Sequence, residues 1–193
     1  MGRLREVLFG EFNDLGRALQ KPESVKKLYI RFPENLNDHA AEFLKFTNLR
    51  SLDIQTEVSH APYLPKEIGA LKTLTRLSIL NVSFEAFPEW ILNLTNLEYL
   101  RVRGCEITEI PSGIKNLQKL KALRIENCEI YDLPVQLKEM PNLKYLSLTD
   151  TKIRVLNIGN LPPNLETLGI IMTLMDTHEK FRIKQHKPTL KFD

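Results

Sequence analysis

The chain has 193 residues, of which 42% are apolar and 26% charged, and its formal net charge is +3. This composition is typical of a soluble globular protein and argues against general disorder. A net charge this small supplies no overall basic field for nucleic acid, and no apolar run approaches the roughly 20 residues that a membrane span needs. We therefore expect neither a nucleic-acid partner nor a membrane segment.

Residues 1–24 are predicted to form an N-terminal cap that contains a helix. Apolar residues of this segment fall on one stripe of a helix, and they are Leu4, Leu8, Phe12, Leu15 and Leu19. Pro22 then ends the helix. A signal peptide needs an uninterrupted apolar core, whereas Glu6, Glu11 and Asp14 interrupt this one. We therefore expect a cytoplasmic location.

The next part of the chain, residues 25–175, is repetitive. The pattern L-x-x-L-x-L, with Ile or Val accepted for the last leucine, occurs six times with spacings of 25, 23, 23, 23 and 22 residues, and its first leucines are Leu49, Leu74, Leu97, Leu120, Leu143 and Leu165. Residues 25–31 contain one earlier copy in the same register, which makes about seven repeats. A unit of this length is too small to bury its own apolar residues, so the repeats must stack into a continuous core.

Each repeat predicts a strand followed by a short helical turn. With the first leucine as position 1, positions 4 and 6 are apolar and alternate with polar residues, which is the period of a half-buried strand. Strands stacked in this way form a parallel sheet. An apolar residue and a proline follow, at Pro65, Pro88, Pro111 and Pro134. Proline suits the start of a helix, so we expect a short helix or 3-10 turn at each.

Residues 176–193 are predicted to be a C-terminal cap. Phe181 and Ile183 alternate with Arg182 and Lys184, which favours an extended segment that covers the last repeat, including Ile171 and Met172. The alternative is a basic arm that binds a partner.

These repeats resemble the leucine-rich repeat family, whose consensus is L-x-x-L-x-L-x-x-N/C-x-L. Residues 97–107 (LEYLRVRGCEI) and 120–130 (LKALRIENCEI) carry the resemblance most clearly. The 23-residue form with L-P-x-x-I-x-x-L resembles the class found in many bacterial repeat proteins and in eukaryotic cytosolic scaffolds that bind small GTPases. Residues 18–30 are similar to the N-terminal cap of bacterial examples.

The resemblance implies one α/β domain over residues 1–193. Its repeats would form a curved right-handed solenoid with a parallel sheet on the concave face and short helices or 3-10 turns on the convex face. It also implies binding of other macromolecules through the concave face, without catalytic residues.

Position 9 departs from the family pattern, in which asparagine usually forms a hydrogen-bond ladder. It holds Val82, Cys105, Cys128, Thr151 and Thr173, so we expect the ladder to be partly replaced by thiol and hydroxyl donors. Cys105 and Cys128 are predicted to lie one strand spacing apart, about 4.8 Å, which permits a disulfide. Buried free thiols are the favoured interpretation. No histidine or third cysteine has the spacing of a zinc site, so we expect no metal.

The outward positions 3, 5 and 7 of the strands are the best candidates for function, because folding does not dictate them. The candidate partner-binding residues at these positions are Tyr29, Arg31, Arg76, Tyr99, Arg101, Arg103, Arg124 and Tyr145. Arginine and tyrosine are enriched at binding hot spots. We predict a central patch for an acidic partner surface, with Glu98, Glu126 and Asp150 at its margins. The alternative is that the arginines only pair with these acids on a solvated face.

The sequence contains no activated nucleophile, paired carboxylates or glycine-rich phosphate loop, so we expect no enzymatic activity and no cofactor. Our prediction is a monomeric protein-interaction module that binds a protein partner through its concave sheet face. One alternative is a receptor for an anionic small molecule or glycan, and another is the recognition fragment of a longer protein. A protein epitope needs about 800 Å² per partner, whereas a small ligand needs a pocket.

Overall fold

The computed structural model describes residues 2–31, 36–56, 64–84 and 86–193. The side chains of residues 2–4 and 8 lie outside the described part, and with them the predicted contribution of Leu4 and Leu8 to a helical stripe. Within these residues, nine strands form one parallel sheet whose spatial order follows the chain. They are β1 (Glu11–Phe12), β2 (Lys27–Arg31), β3 (Ser51–Gln55), β4 (Arg76–Leu80), β5 (Tyr99–Arg103), β6 (Ala122–Glu126), β7 (Tyr145–Ser147), β8 (Thr167–Gly169) and β9 (Lys191–Phe192). The predicted parallel sheet is confirmed.

Short 3-10 helices connect most of the strands. They span Pro22–Ser24, Leu36–His39, Lys66–Ala70, Glu89–Asn93, Ser112–Asn116, Val135–Glu139 and Ile158–Asn160. In the regular repeats proline lies just before the helix: Pro111 is extended, and its carbonyl oxygen accepts from the Ile114 N–H at 3.0 Å. The apolar residues that the four turns of the regular repeats direct inward are buried, namely Ile68 and Leu71, Ile91 and Leu94, Ile114 and Leu117, and Leu137 and Met140. This confirms the predicted helical turns.

The core is built from columns of equivalent residues. Position 4 is fully buried in every copy, at Leu28, Leu52, Leu77, Leu100, Leu123, Leu146 and Leu168. One apolar cluster runs from Phe12 in β1 to Leu190 beside β9. Burial of one leucine is worth about 1.5–3 kcal/mol, and here it depends on the neighbouring repeat.

An amide ladder between repeats lies at an unexpected position, immediately before the first leucine. Each asparagine there donates its Nδ2–H to a carbonyl one repeat earlier, at 2.7–2.9 Å, and the four are Asn48, Asn96, Asn142 and Asn164. At position 9, Thr151 donates to Leu148 O at 2.7 Å and Cys128 to Glu126 O at 3.2 Å, both within their own repeat. The thiol and hydroxyl donors are therefore present, but the asparagine ladder between repeats lies at the other site.

The prediction of one continuous N-terminal helix is wrong. Two helices, α1 (Gly2–Phe9) and α2 (Leu15–Ala18), flank β1, and a further short helix, α3 (Ala40–Phe43), lies between β2 and β3. Gly10 ends α1 with φ +64, a conformation that glycine adopts without strain, and a Cβ there would lie 2.3 Å from a backbone oxygen. Phe12 is consequently a buried strand residue that pairs alongside Leu28.

The extended conformation predicted for the C-terminal segment is also wrong. A helix, α4 (Thr177–His186), begins after Asp176, whose carboxylate accepts the Glu179 N–H at 2.7 Å. Phe181 and Ile183 are two positions apart. In a strand their side chains would point the same way, whereas in a helix they point about 200° apart. Ile183 is accordingly fully buried while 61% of Phe181 is exposed.

Two side chains of α4 bind the repeat before it. Glu179 Oε1 accepts the Leu156 N–H at 2.8 Å, and Arg182 Nη2 donates to the Leu156 carbonyl at 2.5 Å. Arg182 also pairs with Glu179 at 2.6 Å. Leu156 precedes Asn157, where the earlier repeats have proline. The helix therefore binds both backbone polar groups of Leu156, in a turn that lacks the proline of the four repeats before it.

Replacing Ile183 by alanine should lower the free energy of unfolding by about 2–4 kcal/mol, because it leaves a cavity under α4. Phe181→Ala is the matched control and should change it by at most about 0.5 kcal/mol. Urea unfolding followed by circular dichroism measures both. Equal losses in the two variants would contradict the helical arrangement.

The thiols of Cys105 and Cys128 are free and buried, and burial raises their pKa values to about 12 and about 11. Little thiolate then exists at pH 8, so iodoacetamide should label neither residue in the native protein. Both should be labelled after unfolding in urea without reductant, as read by mass spectrometry. Fast native labelling, or two thiols that stay unlabelled in urea, would contradict this.

Candidate functional site

The open face of the sheet, defined here as the side turned away from the 3-10 helices, carries positions 3, 5 and 7 in columns. Arg76 is the register partner of Tyr99, and Arg101 that of Arg124. The structure thus brings together six predicted residues of β4 to β7, named here the arginine–tyrosine patch: Arg76, Tyr99, Arg101, Arg103, Arg124 and Tyr145. Tyr29 and Arg31 are exposed on the same face, but they lie on β2, two strands or about 10 Å from β4.

Two arginines of the patch stack on tyrosine rings. The Arg76 Cζ atom lies 3.7 Å from the ring centroid of Tyr99, and that of Arg124 lies 4.6 Å from the centroid of Tyr145. Such contacts are worth about 0.5–1 kcal/mol at exposed sites. They restrict both guanidinium groups before any partner arrives, which lowers the entropic cost of binding.

Glu126, predicted at the margin of the patch, is the last residue of β6, and its side chain binds two arginines of the patch. Its Oε2 accepts from Arg101 Nη2 at 2.8 Å and Nε at 3.0 Å. Its Oε1 accepts from Arg124 at 3.1 Å and from the Ser147 hydroxyl at 2.9 Å. Only 9% of its side chain is exposed. The alternative that the arginines pair with acids therefore holds for Arg101 and Arg124.

The environment keeps Glu126 ionised. Burial raises its pKa, but the hydrogen bonds from Ser147 and Arg101 and the charges of Arg101 and Arg124 outweigh burial and leave the pKa below its usual value. One carboxylate is therefore fixed between two arginines at neutral pH.

Arg103 differs from these two arginines. It is exposed and, among the described residues, makes no ion pair, although its register partner is Glu126. Arg76 likewise contacts the Tyr99 ring and no carboxylate of the described chain. These two guanidinium groups are the cations that the patch leaves available.

A concavity of about 430 Å³ opens beside the patch. Arg101, Arg103 and Arg124 line one side, and the other side carries Ile171, Met172, Asp150 and Asp193. Asp193 accepts the Tyr145 hydroxyl at 2.7 Å. The sequence suggested that the C-terminal segment covers Ile171 and Met172, but they are 57% and 71% exposed.

The sequence missed part of this site. Ser147 and Asp193 emerge only from the structure, because their roles depend on which neighbours they reach. The contact of Glu126 with the arginines could have been predicted from the sequence, because Glu126 and Arg103 both occupy position 7 of adjacent repeats.

In the part of the chain that the structure describes, no three histidine, cysteine or acidic side chains are grouped to hold a metal ion. Separately, none of the described helices has the length and apolarity of a membrane span. The side chains that do converge offer cations, hydroxyls and rings, which suit recognition of carboxylates.

Known proteins agree with this architecture. Residues 91–184 match the family described as leucine-rich repeat region. The solved structure of a leucine-rich repeat protein from Leptospira interrogans is similar, with a TM-score of 0.57, 19% identity and coverage of 94% of this chain. This chain covers 57% of that protein. No curated protein matches it. The chain therefore has the fold of a leucine-rich repeat solenoid, with residues 91–184 matching that family, and its open face is the concave face of the solenoid.

Replacing Glu126 by glutamine should lower the free energy of unfolding at pH 7 by about 1–3 kcal/mol, since it removes charge-assisted hydrogen bonds. The folded-state pKa is lowered, so this stabilisation is present above the unfolded pKa and is lost as pH falls through the folded pKa. Urea unfolding at several pH values should show the two proteins converging in acid.

Glu129→Gln is the matched control, because Glu129 forms an exposed pair with Lys152 at 3.6 Å and should matter little. A wild-type advantage over Glu126→Gln that persists unchanged into acid would contradict the assigned ionisation.

Proposed function

We propose that this chain is a non-enzymatic protein-interaction module that binds an acidic surface of a partner protein through the arginine–tyrosine patch. The observation that carries the proposal is the pair of unneutralised guanidinium groups, Arg76 and Arg103, beside a rigid ion cluster. Strands β4 to β6 carry four outward arginines at these positions against the single carboxylate of Glu126. Arginine and tyrosine also supply large, planar contacts at low entropic cost.

We further infer that the module acts as a monomer in the cytoplasm. Free thiols at Cys105 and Cys128 suit a reducing compartment. The concave face of one chain already presents the whole patch, so recognition needs no second copy.

A second candidate is a receptor for an anionic small molecule or glycan. The concavity of about 430 Å³ favours it, because this volume falls within the range of about 300–1,000 Å³ typical of ligand pockets. The same arginines would bind the anion.

The test is capture of partners from the native lysate by immobilised wild type and by the double variant Arg76→Gln with Arg103→Gln. Arg76 and Arg103 are suitable because they make no ion pair in the described chain, whereas reversing the charge of Arg101 and Arg124 would leave the buried Glu126 without a cation. The variant should capture about tenfold less partner than wild type and keep the same unfolding temperature. Salt at about 0.5 M should weaken wild-type capture, because it screens exposed charges.

Lys66→Gln with Lys138→Gln is the matched control, since it removes two exposed charges from the 3-10 helices. It should capture as wild type does. A partner held equally by the arginine variant would contradict the proposal. Thermal stabilisation of wild type by small polyanions, lost in the arginine variant and without any captured protein, would favour the second candidate.

A further inference from the structure

We propose that the concavity recognises a partner segment in extended conformation that carries one acidic and one aliphatic residue. The carboxylate binds Arg103 and its neighbouring arginines, and the aliphatic side chain packs on Ile171 and Met172. This inference rests on the proposed function, because it specifies the partner's chemistry at the same face.

The backbone at Met172 is the first observation. Position 8 of the last five repeats is left-handed, with φ between 49 and 64 at Asn81, Gly104, Asn127, Asp150 and Met172. Asparagine, glycine and aspartate tolerate this conformation, whereas for other L-residues it costs roughly 1–2 kcal/mol. Four repeats thus use a suitable residue, and one has a methionine that is strained. Strain of this kind concentrates at functional sites.

The exposure of the same residue is the second observation. Met172 is 71% and Ile171 57% exposed, although both are large and apolar. Their turn is held in place, because the Asp150 N–H donates to the Ile171 carbonyl at 2.8 Å. A fixed apolar wall therefore stands in water at the edge of an arginine cluster, and a partner's aliphatic side chain would remove it from water.

Charge gives the site a direction. The arginines belong to β5 and β6, whereas Asp150 and Asp193 lie on the side of the apolar wall. A carboxylate is attracted to the first side and repelled at the second. The bound segment should therefore carry its acidic residue over β5 and β6 and avoid another acid beside Met172.

Sheet geometry sets the spacing. The turn after β8 is three strands from Arg103 on β5, or about 14 Å, and an extended segment rises about 3.3 Å per residue. Allowing for side-chain reach, the acidic and aliphatic residues should be two or three positions apart. The concavity of about 430 Å³ has room for two such side chains.

The probe is a displayed library of random nine-residue peptides selected on the full wild-type chain. Enriched peptides should contain aspartate or glutamate two or three positions from leucine, isoleucine, valine or methionine. Fluorescence anisotropy then compares them on wild type, Ile171→Thr, Met172→Asn and the double arginine variant. The first two substitutions should weaken binding about tenfold, and the third should abolish it.

Met172→Asn is the informative variant, because asparagine suits the left-handed conformation. It should raise the unfolding temperature while it weakens binding, a combination that a folding defect does not produce. The Phe181→Ala variant is the matched control for loss of an exposed apolar group, and it should bind as wild type does.

The outcomes separate this inference from the proposed function. The inference alone would be overturned by acidic peptides that lack the aliphatic residue. Such peptides would bind Ile171→Thr and Met172→Asn as tightly as wild type but would not bind the arginine variant. Peptides indifferent to the arginine variant would overturn both. A library without any bound peptide would also overturn the inference, while lysate capture decides the proposed function separately.

Discussion

A repeat of about 23 residues cannot bury its own apolar side chains, and this constraint determines the architecture of the molecule. Each leucine column is buried only because the next repeat lies against it, and the parallel ladder keeps every repeat at the same register. The outward side chains inherit that register without choice. Residues about 23 positions apart in the chain become neighbours on the open face, so the residues of one binding surface are far apart in the sequence.

Within that surface, Glu126 has two opposed effects. It neutralises part of the positive charge, which weakens attraction for an acidic partner, yet it holds Arg101 and Arg124 in one arrangement. Flexible arginines lose entropy when a ligand orders them, whereas these have already lost it. The patch is therefore best understood as a rigid floor of paired charges with free cations, Arg76 and Arg103, beside it.

The sequence predicted what periodicity controls and failed where single contacts decide. Spacing of leucines and prolines was enough for the sheet, the 3-10 turns and the membership of the patch. In residues 176–193, the spacing of Phe181 and Ile183 is compatible with a strand and with a helix. The N-cap at Asp176 and the burial of Ile183 decide for the helix. Gly10 interrupts the N-terminal helix because its carbonyl and its φ are needed by the sheet. The central role of Glu126 depends on Ser147, a contact that no local pattern announces.

The ion cluster across β5 and β6 has a consequence for how such a gene could change. Insertion of a copy of the β4 unit, which carries Ser78 where β5 carries Arg101, between these strands would preserve every leucine column, since the new copy stacks as the old ones do. It would nevertheless insert a strand between Arg101 and Glu126, which now meet at 2.8 Å, and leave a buried carboxylate short of its cation. Insertion of a repeat at this point is thus limited to units that carry a cation at the position of Arg101, because electrostatics adds a requirement there that hydrophobic stacking does not impose.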